Sequence, residues 1–176
     1  SWDLGRKRAY KGNVSLSTTF GKDLESGHDV VDVTVNKSRF EVNDTIWHID
    51  PAGIRYSDKS VRINGVKVHR AGQYALIDGT ATASPEDTVK VSLRDIDLAD
   101  VFETLAIEYV QFGGSASGTL SASSVFTKAP VVCTDDLVVS DMTYNHCVLG
   151  DAHIKSHLDM ERKSVYLDAD ILERRD

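Results

Sequence analysis

Stretch after stretch of this chain alternates apolar and polar residues with a period of two. Val31, Val33 and Val35 alternate with Asp32, Thr34 and Asn36, and the pattern returns at Val61/Ile63, Val66/Val68, Tyr74/Leu76 and Val89/Val91/Leu93. Near the end, Ala152, Ile154, Leu158 and Met160 point one way while Asp151, His153, Lys155, His157 and Asp159 point the other, and Val165, Leu167, Ala169 and Ile171 repeat the arrangement. Successive side chains of an extended chain project to opposite sides, so this pattern predicts half-buried strands with one greasy and one wet face.

Turn-forming residues separate the apolar runs: Asn43-Asp44, Asp50-Pro51-Ala52-Gly53, Ser57-Asp58-Lys59, Asn64-Gly65, Ala71-Gly72, Ser84-Pro85-Glu86-Asp87 and Gly150-Asp151. Each accepts tight-turn geometry, and the spacing is that of an antiparallel meander. One stretch departs from it. Over residues 98–110, Leu98, Val101, Phe102, Leu105 and Tyr109 fall on one helical stripe, which predicts a short helix near 99–105. Ile77-Asp78-Gly79-Thr80-Ala81-Thr82-Ala83-Ser84 resembles Ala116-Ser117-Gly118-Thr119-Leu120-Ser121-Ala122-Ser123, with the glycines 39 residues apart. This weak internal repeat suggests an array, and the whole of 1–176 reads as one segment taken from a longer one.

The apolar content of 41% and the presence of only 3 prolines exclude a disordered chain, and 176 residues suffice for one sizeable domain. Against 27 acidic residues stand 20 basic ones, and the net charge of -7 repels nucleic acid and anionic membrane surfaces. The basic cluster Arg6, Lys7, Arg8 and Lys11, beside Tyr10, reads as a solvated terminus. No uncharged apolar stretch is long enough to span a bilayer as a helix, and the first residues carry no signal-peptide pattern.

The residues offer little to catalysis or metal binding. His153 and His157 would make a zinc pair on a helix, but on a strand they stand about 13 Å apart and cannot share an ion without help from other strands. No serine sits on a strand-turn-helix elbow. The run Gly113-Gly114-Ser115-Ala116-Ser117-Gly118 precedes a strand rather than a helix, and reads as a flexible turn instead of a phosphate loop. Asp135-Asp136 and Asp95/Asp97 read as solvated turn residues, and Trp47 as a core anchor. Cys133 and Cys147 match no metal-site spacing. With residues 137–139 and 142–144 as hairpin arms turning near Ser140, they lie equidistant from the turn and can face each other; two small buried side chains are the plainer reading.

A family resemblance rests on particular runs: Phe40-Glu41-Val42-Asn43-Asp44-Thr45-Ile46-Trp47-His48-Ile49-Asp50-Pro51, then Ile54-Arg55-Tyr56, Val61-Arg62-Ile63-Asn64-Gly65, Leu76-Ile77-Asp78-Gly79 and Val89-Lys90-Val91-Ser92-Leu93-Arg94-Asp95-Ile96-Asp97-Leu98. With Gly118-Thr119-Leu120, Pro130-Val131-Val132 and Val148-Leu149-Gly150-Asp151, they resemble the repeat region of TamB, the translocation and assembly module group of the AsmA-like family, especially its Bacteroidetes-type members. The resemblance implies an all-β fold, an elongated curled antiparallel sheet called a β-taco, with an apolar inner face. It implies a periplasmic segment of a protein anchored in the inner membrane of a Gram-negative bacterium. Such a segment supports phospholipid transport to the outer membrane, protein assembly in it, or both, through a hydrophobic groove. The implied partners are lipid acyl chains or unfolded outer-membrane protein strands, with an outer-membrane β-barrel as partner of the full-length protein. The family carries no catalytic residues and no cofactor, and the membrane anchor has no counterpart in this sequence.

The candidate groove-lining residues are Val31, Val33, Val35, Phe40, Val42, Ile54, Tyr56, Val61, Ile63, Leu76, Val89, Val91, Leu93, Ile154, Leu158, Val165 and Leu167. Two other classes stand beside the groove: a structural or adhesive module of a surface protein with a closed core, and a small β-rich enzyme, which no motif supports. Unpaired strands at the ends of such a segment invite an edge-strand dimer.

Overall fold

The computed structural model describes residues 10–42, 44–104, 112–145, 147–159 and 164–172. The alternating stretches form β1 (Tyr10–Asn13), β2 (Leu16–Lys22), β3 (Asp29–Val35), β4 (Ser38–Val42), β5 (Thr45–Ile49), β6 (Ala52–Ser57), β7 (Ser60–Arg70), β8 (Gln73–Ala81) and β9 (Thr88–Asp97). After the helix α1 (Leu98–Thr104) follow β10 (Phe112–Ser123), β11 (Val131–Tyr144), β12 (Cys147–Asp159) and β13 (Ser164–Leu172). The fold is all-β: one open antiparallel sheet of 13 strands with one short helix.

From β7 to β13 the sheet is a simple meander, each strand paired with its successor in the chain. On the other side of β7 it forks. Residues 60–64 of β7 pair with β6, which leads to β3 and β2, whereas Val68 and His69 pair with β5, which leads to β4 and β1. The helix begins where sequence periodicity placed it, one residue earlier. Asp97 caps it by accepting the Ala99 N–H at 2.8 Å. Leu105 and Tyr109 lie outside the described residues.

Four local expectations fail, for one physical reason. Asn64-Gly65 and Gly150-Asp151 do not turn the chain but lie inside β7 and β12, and Ser140 lies inside β11 rather than at a hairpin tip. Gly113–Gly118 is likewise part of β10, not a flexible turn. Residues that tolerate positive φ serve a β-bulge as readily as a turn. Gly65 (φ 63) bulges β7, Asp95 (φ 49) bulges β9 and Asp141 (φ 51) bulges β11, each at or beside a register shift. A neighbouring strand accepts each bulged N–H: Gly65 donates to Asp78 Oδ2, Asp95 to Ser117 Oγ, and Asp141 to Asp151 Oδ1, all at 2.9 Å. The glycines of β10 let that strand pass close to the bulges of β11. A Cβ on Gly118 (φ +136) would lie 2.4 Å from the Asp136 carbonyl oxygen, and one on Gly114 2.7 Å from that of Ser140.

The continuous β11 also separates the cysteines. Cys133 pairs with Ser121 and Cys147 with Tyr144, so on the order of 30 Å of strand lies between them. A disulfide needs Cα atoms within about 7 Å, and both thiols are free.

Candidate functional site

Residues directly opposite each other in an antiparallel pair project to the same side of the sheet, so the register assigns every strand residue a face. Starting from Val31, Val33 and Val35, the rows can be followed across the molecule. Phe20, Val31, Tyr56, Val61 and Ala81 form one. Thr18, Val33, Ile54, Ile63, Gly79, Val89, Ala122 and Val132 form the next. Val66, Ile77, Val91, Leu120, Thr134, Ser156 and Leu167 run from β7 to β13. Through Val68 and Ile49 the same face continues onto Trp47, Phe40 and Val42 in the other arm of the fork.

The bulges set apolar residues of one strand on the same side. An extra residue shifts the phase of a strand by one, so Val61 and Ile63 before Gly65 share a side with Val66 and Val68 after it. Leu93 and Ile96 share it across Asp95, as do Leu137, Val139 and Met142 across Asp141. The two hydroxyl residues in the long row are turned into the backbone: Thr134 Oγ1 donates to the Thr119 carbonyl at 2.7 Å, and Ser156 Oγ accepts the Thr134 N–H at 2.8 Å. They add no unsatisfied polar group to the surface.

The register places the predicted lining residues on this face with one exception. Leu76 pairs with Lys67 and Ser92 and belongs to the opposite side; Ile77, beside Val66 and Val91, holds the place expected of it. Both parities of β8 carry apolar residues, and the larger Tyr74/Leu76 pair misled the sequence reading. Val35 and Val89 are buried, Tyr56, Val165 and Leu167 are exposed, and the other lining residues on this face are half-buried. Leu16, Phe20, Ile49, Ile96 and Leu120 lie on the same face outside the predicted lining. Of these Phe20, 77% exposed and opposite Val31, had a visible signal in the alternation of 16–20, with Thr18 breaking its apolar phase.

Among the described residues, the most deeply buried part of the face is one small cluster. Ala116, Val139 and Ala152 are at most 3% exposed and gather Leu93, Leu137, Met142, Ile154 and, from α1, Leu98 around them. Arg70 lies close by on the same face. Its guanidinium sits 4.8 Å from the Trp47 ring centre and 3.3 Å from Asp100 of α1, tying the helix to the forked end of the sheet. No large side chain among the described residues is fully buried. The chain exposes 12651 Å², against roughly 8,500 Å² expected of a compact folded protein of 19.3 kDa. Among the described residues all strands belong to one sheet.

The other face carries charged residues, several of them paired, beside apolar ones such as Val30, Leu76 and Val138. Arg55 reaches Asp32 with two hydrogen bonds, Nε to Oδ1 at 2.7 Å and Nη2 to Oδ2 at 3.0 Å. The bond to Arg55 holds the Asp32 carboxyl below its ordinary range and raises the guanidinium in turn. Asp23 is lowered chiefly by the backbone N–H groups of Ser26 and Glu25 in the turn after β2. His153 and His157 lie opposite Asp170 and Tyr166, with the His157 and Tyr166 rings stacked at 5.3 Å. His69 meets Asp50 at 3.0 Å and packs near His48. Among the described residues no three His, Cys, Asp or Glu side chains converge as metal ligands, and no helix is long and apolar enough to cross a membrane. No protein-family model, curated protein or solved structure matches this chain.

Proposed function

We propose that this chain is a periplasmic segment of an inner-membrane-anchored protein, and that its apolar face forms a groove supporting phospholipid transport to the outer membrane, protein assembly there, or both. What supports the proposal is the series of apolar residues that the register sets on one side of an open sheet, from Phe20 in β2 to Leu167 in β13. A bare apolar surface of that extent is unfavourable in water, and each methylene it removes from solvent contributes about 0.8 kcal/mol. Acyl chains, or the alternating strands of an unfolded barrel protein, match it by area and shape without any specific polar contact. The charged residues of the reverse face, with their ion pairs, keep the segment out of the bilayer core. On this reading the chain is a conduit or shield and performs no chemistry.

The test uses the two faces of one strand. Val91 lies in the middle of the apolar row, and Lys90, its neighbour in β9, projects from the other side opposite Asp78. Val91→Asp in the full-length protein blocks lipid passage between membranes while Lys90→Glu leaves it intact, both variants being expressed and folded. Equal transport by a folded Val91→Asp protein refutes the groove.

A further inference from the structure

Glycine inside a strand weakens it, and marks a bulge, a bend or the close approach of another backbone or a ligand. Gly53 in β6 answers to none of the structural reasons. It pairs with Thr34 on one side and Asn64 on the other without a register shift, and its φ lies outside the left-handed region. A Cβ built on it would meet only the Asn64 side chain, with Nδ2 at an ordinary 3.7 Å. The fold therefore admits a side chain there, and what its absence leaves is a notch of about 360 Å³ on the face opposite the apolar one. That is the small end of the range of small-molecule sites. The notch lies inside the sheet, over β3, β6 and β7, with β2 and β8 on its flanks.

Its lining is short of one negative charge. Arg55 and Arg62 stand directly opposite each other in β6 and β7, a like-charge pair that is unfavourable in a sheet. A single carboxylate answers them: Asp32 takes the Nε and Nη2 of Arg55 and leaves its Nη1 open. Among the described residues Arg62 has no ion pair, and the Thr34 hydroxyl and the Asn64 amide have no hydrogen-bond partner. Two guanidiniums against one carboxylate leave a surplus of one positive charge, in a chain whose net charge is -7.

We infer that this notch binds a phosphate group, with Arg62 and the open edge of Arg55 pairing with its oxygens and Asn64 and Thr34 donating to the rest. Guanidinium forks accept carboxylate and phosphate alike. Two forks and two neutral donors, reaching in from three strands, match a tetrahedral group with several acceptor oxygens better than a planar one with two. The bound anion also relieves the repulsion between the two arginines. Because the notch faces away from the apolar rows, the inference does not rest on the groove.

The test is a titration of the isotope-labelled chain with inorganic phosphate at constant ionic strength, following the arginine Nε–H signals by nuclear magnetic resonance. Arg62 and Arg55 shift saturably, while Arg39, on the same face opposite His48, does not. Arg62→Gln weakens phosphate binding at least tenfold. So does Gly53→Val, which fills the notch and keeps the native circular dichroism, since neither φ nor the space around its Cβ opposes it. Glycerol phosphate in solution and phosphatidylglycerol on vesicles then distinguish a soluble ester from a lipid headgroup: whichever binds tighter names the source, and both depend on Arg62. Arginine signals that move no further with phosphate than with sodium chloride at matched ionic strength, phosphate binding that survives Arg62→Gln, or a folded Gly53→Val protein that binds phosphate as the wild type does, each overturns the site.

Discussion

The two halves of the sheet solve the same problem differently. In the forked half, strands of four to seven residues divide between two arms that pair with different stretches of β7. In the meander, strands of nine to fourteen residues are threaded past one another at bulges, and the small cluster Ala116, Val139 and Ala152 is closed over by α1. Alternation is common to both. What differs is how closely the backbones approach, and therefore how much the meander depends on residues without a side chain.

That contrast is most easily broken at glycine. Gly118→Val puts a Cβ 2.4 Å from the Asp136 carbonyl oxygen at a φ of +136, and is expected to cost on the order of 3 kcal/mol or to prevent folding, measured by denaturant titration. Gly21→Val, in β2 with nothing within 4 Å and no positive φ, should change stability by less than about 0.5 kcal/mol. Comparable losses at both sites would show that the fork is packed as tightly as the meander.

Filling space is the next largest effect. Ala152→Leu overpacks the one closed cluster and is expected to cost about 1–3 kcal/mol. Val33→Leu, half-buried on the uncovered face of the fork, should stay within about 0.5 kcal/mol. Native-state hydrogen exchange should follow the same order, with amides of β11 and β12 protected beyond those of β2 and β3.

Polar contacts give smaller changes. Asp151→Ala leaves the bulged Asp141 N–H without its acceptor and should cost about 1 kcal/mol. In the fork, the exposed Asp32–Arg55 pair contributes little and does so with a definite pH dependence. Arg55 lowers the folded pKa of Asp32 below the ordinary 3.8, so the contribution is complete above that pH and is lost as pH falls through the lowered value. Between neutral pH and about pH 5, Arg55→Gln should therefore shift the denaturation midpoint by the same small amount at every pH. A difference growing across that window would mean that another group titrates with it.

Much of the fold was legible because period-two alternation survives any arrangement of strands: Val31/Val33/Val35, Val89/Val91/Leu93 and the 152–158 run all lie where their pattern placed them. The bulges were not. Asn64-Gly65, Ser140-Asp141 and Gly150-Asp151 carry residues suited to either a turn or a bulge, and only the partner strand decides between them. One extra residue changes the face of everything after it, so the continuity of Ile63 with Val66, or of Val139 with Met142, could not be followed along the chain alone. The misplacement of Leu76 has another origin, since Ala75/Ile77 and Tyr74/Leu76 offer β8 two apolar phases and cross-strand neighbours choose. The fork and the contacts of Arg70 left no sequence signal, because Arg70 lies 23 positions from Trp47 and 30 from Asp100, and only the folded sheet brings them together.

The central claim is that the apolar face stays open to an acyl chain. The direct measurement is native mass spectrometry of the purified chain after incubation with phospholipid vesicles, alongside Val91→Asp and Lys90→Glu. Phospholipid adducts are expected on the wild-type and Lys90→Glu proteins and few on Val91→Asp. A wild-type chain that is folded and free of lipid under those conditions, or one whose adducts are indifferent to Val91→Asp, would contradict it.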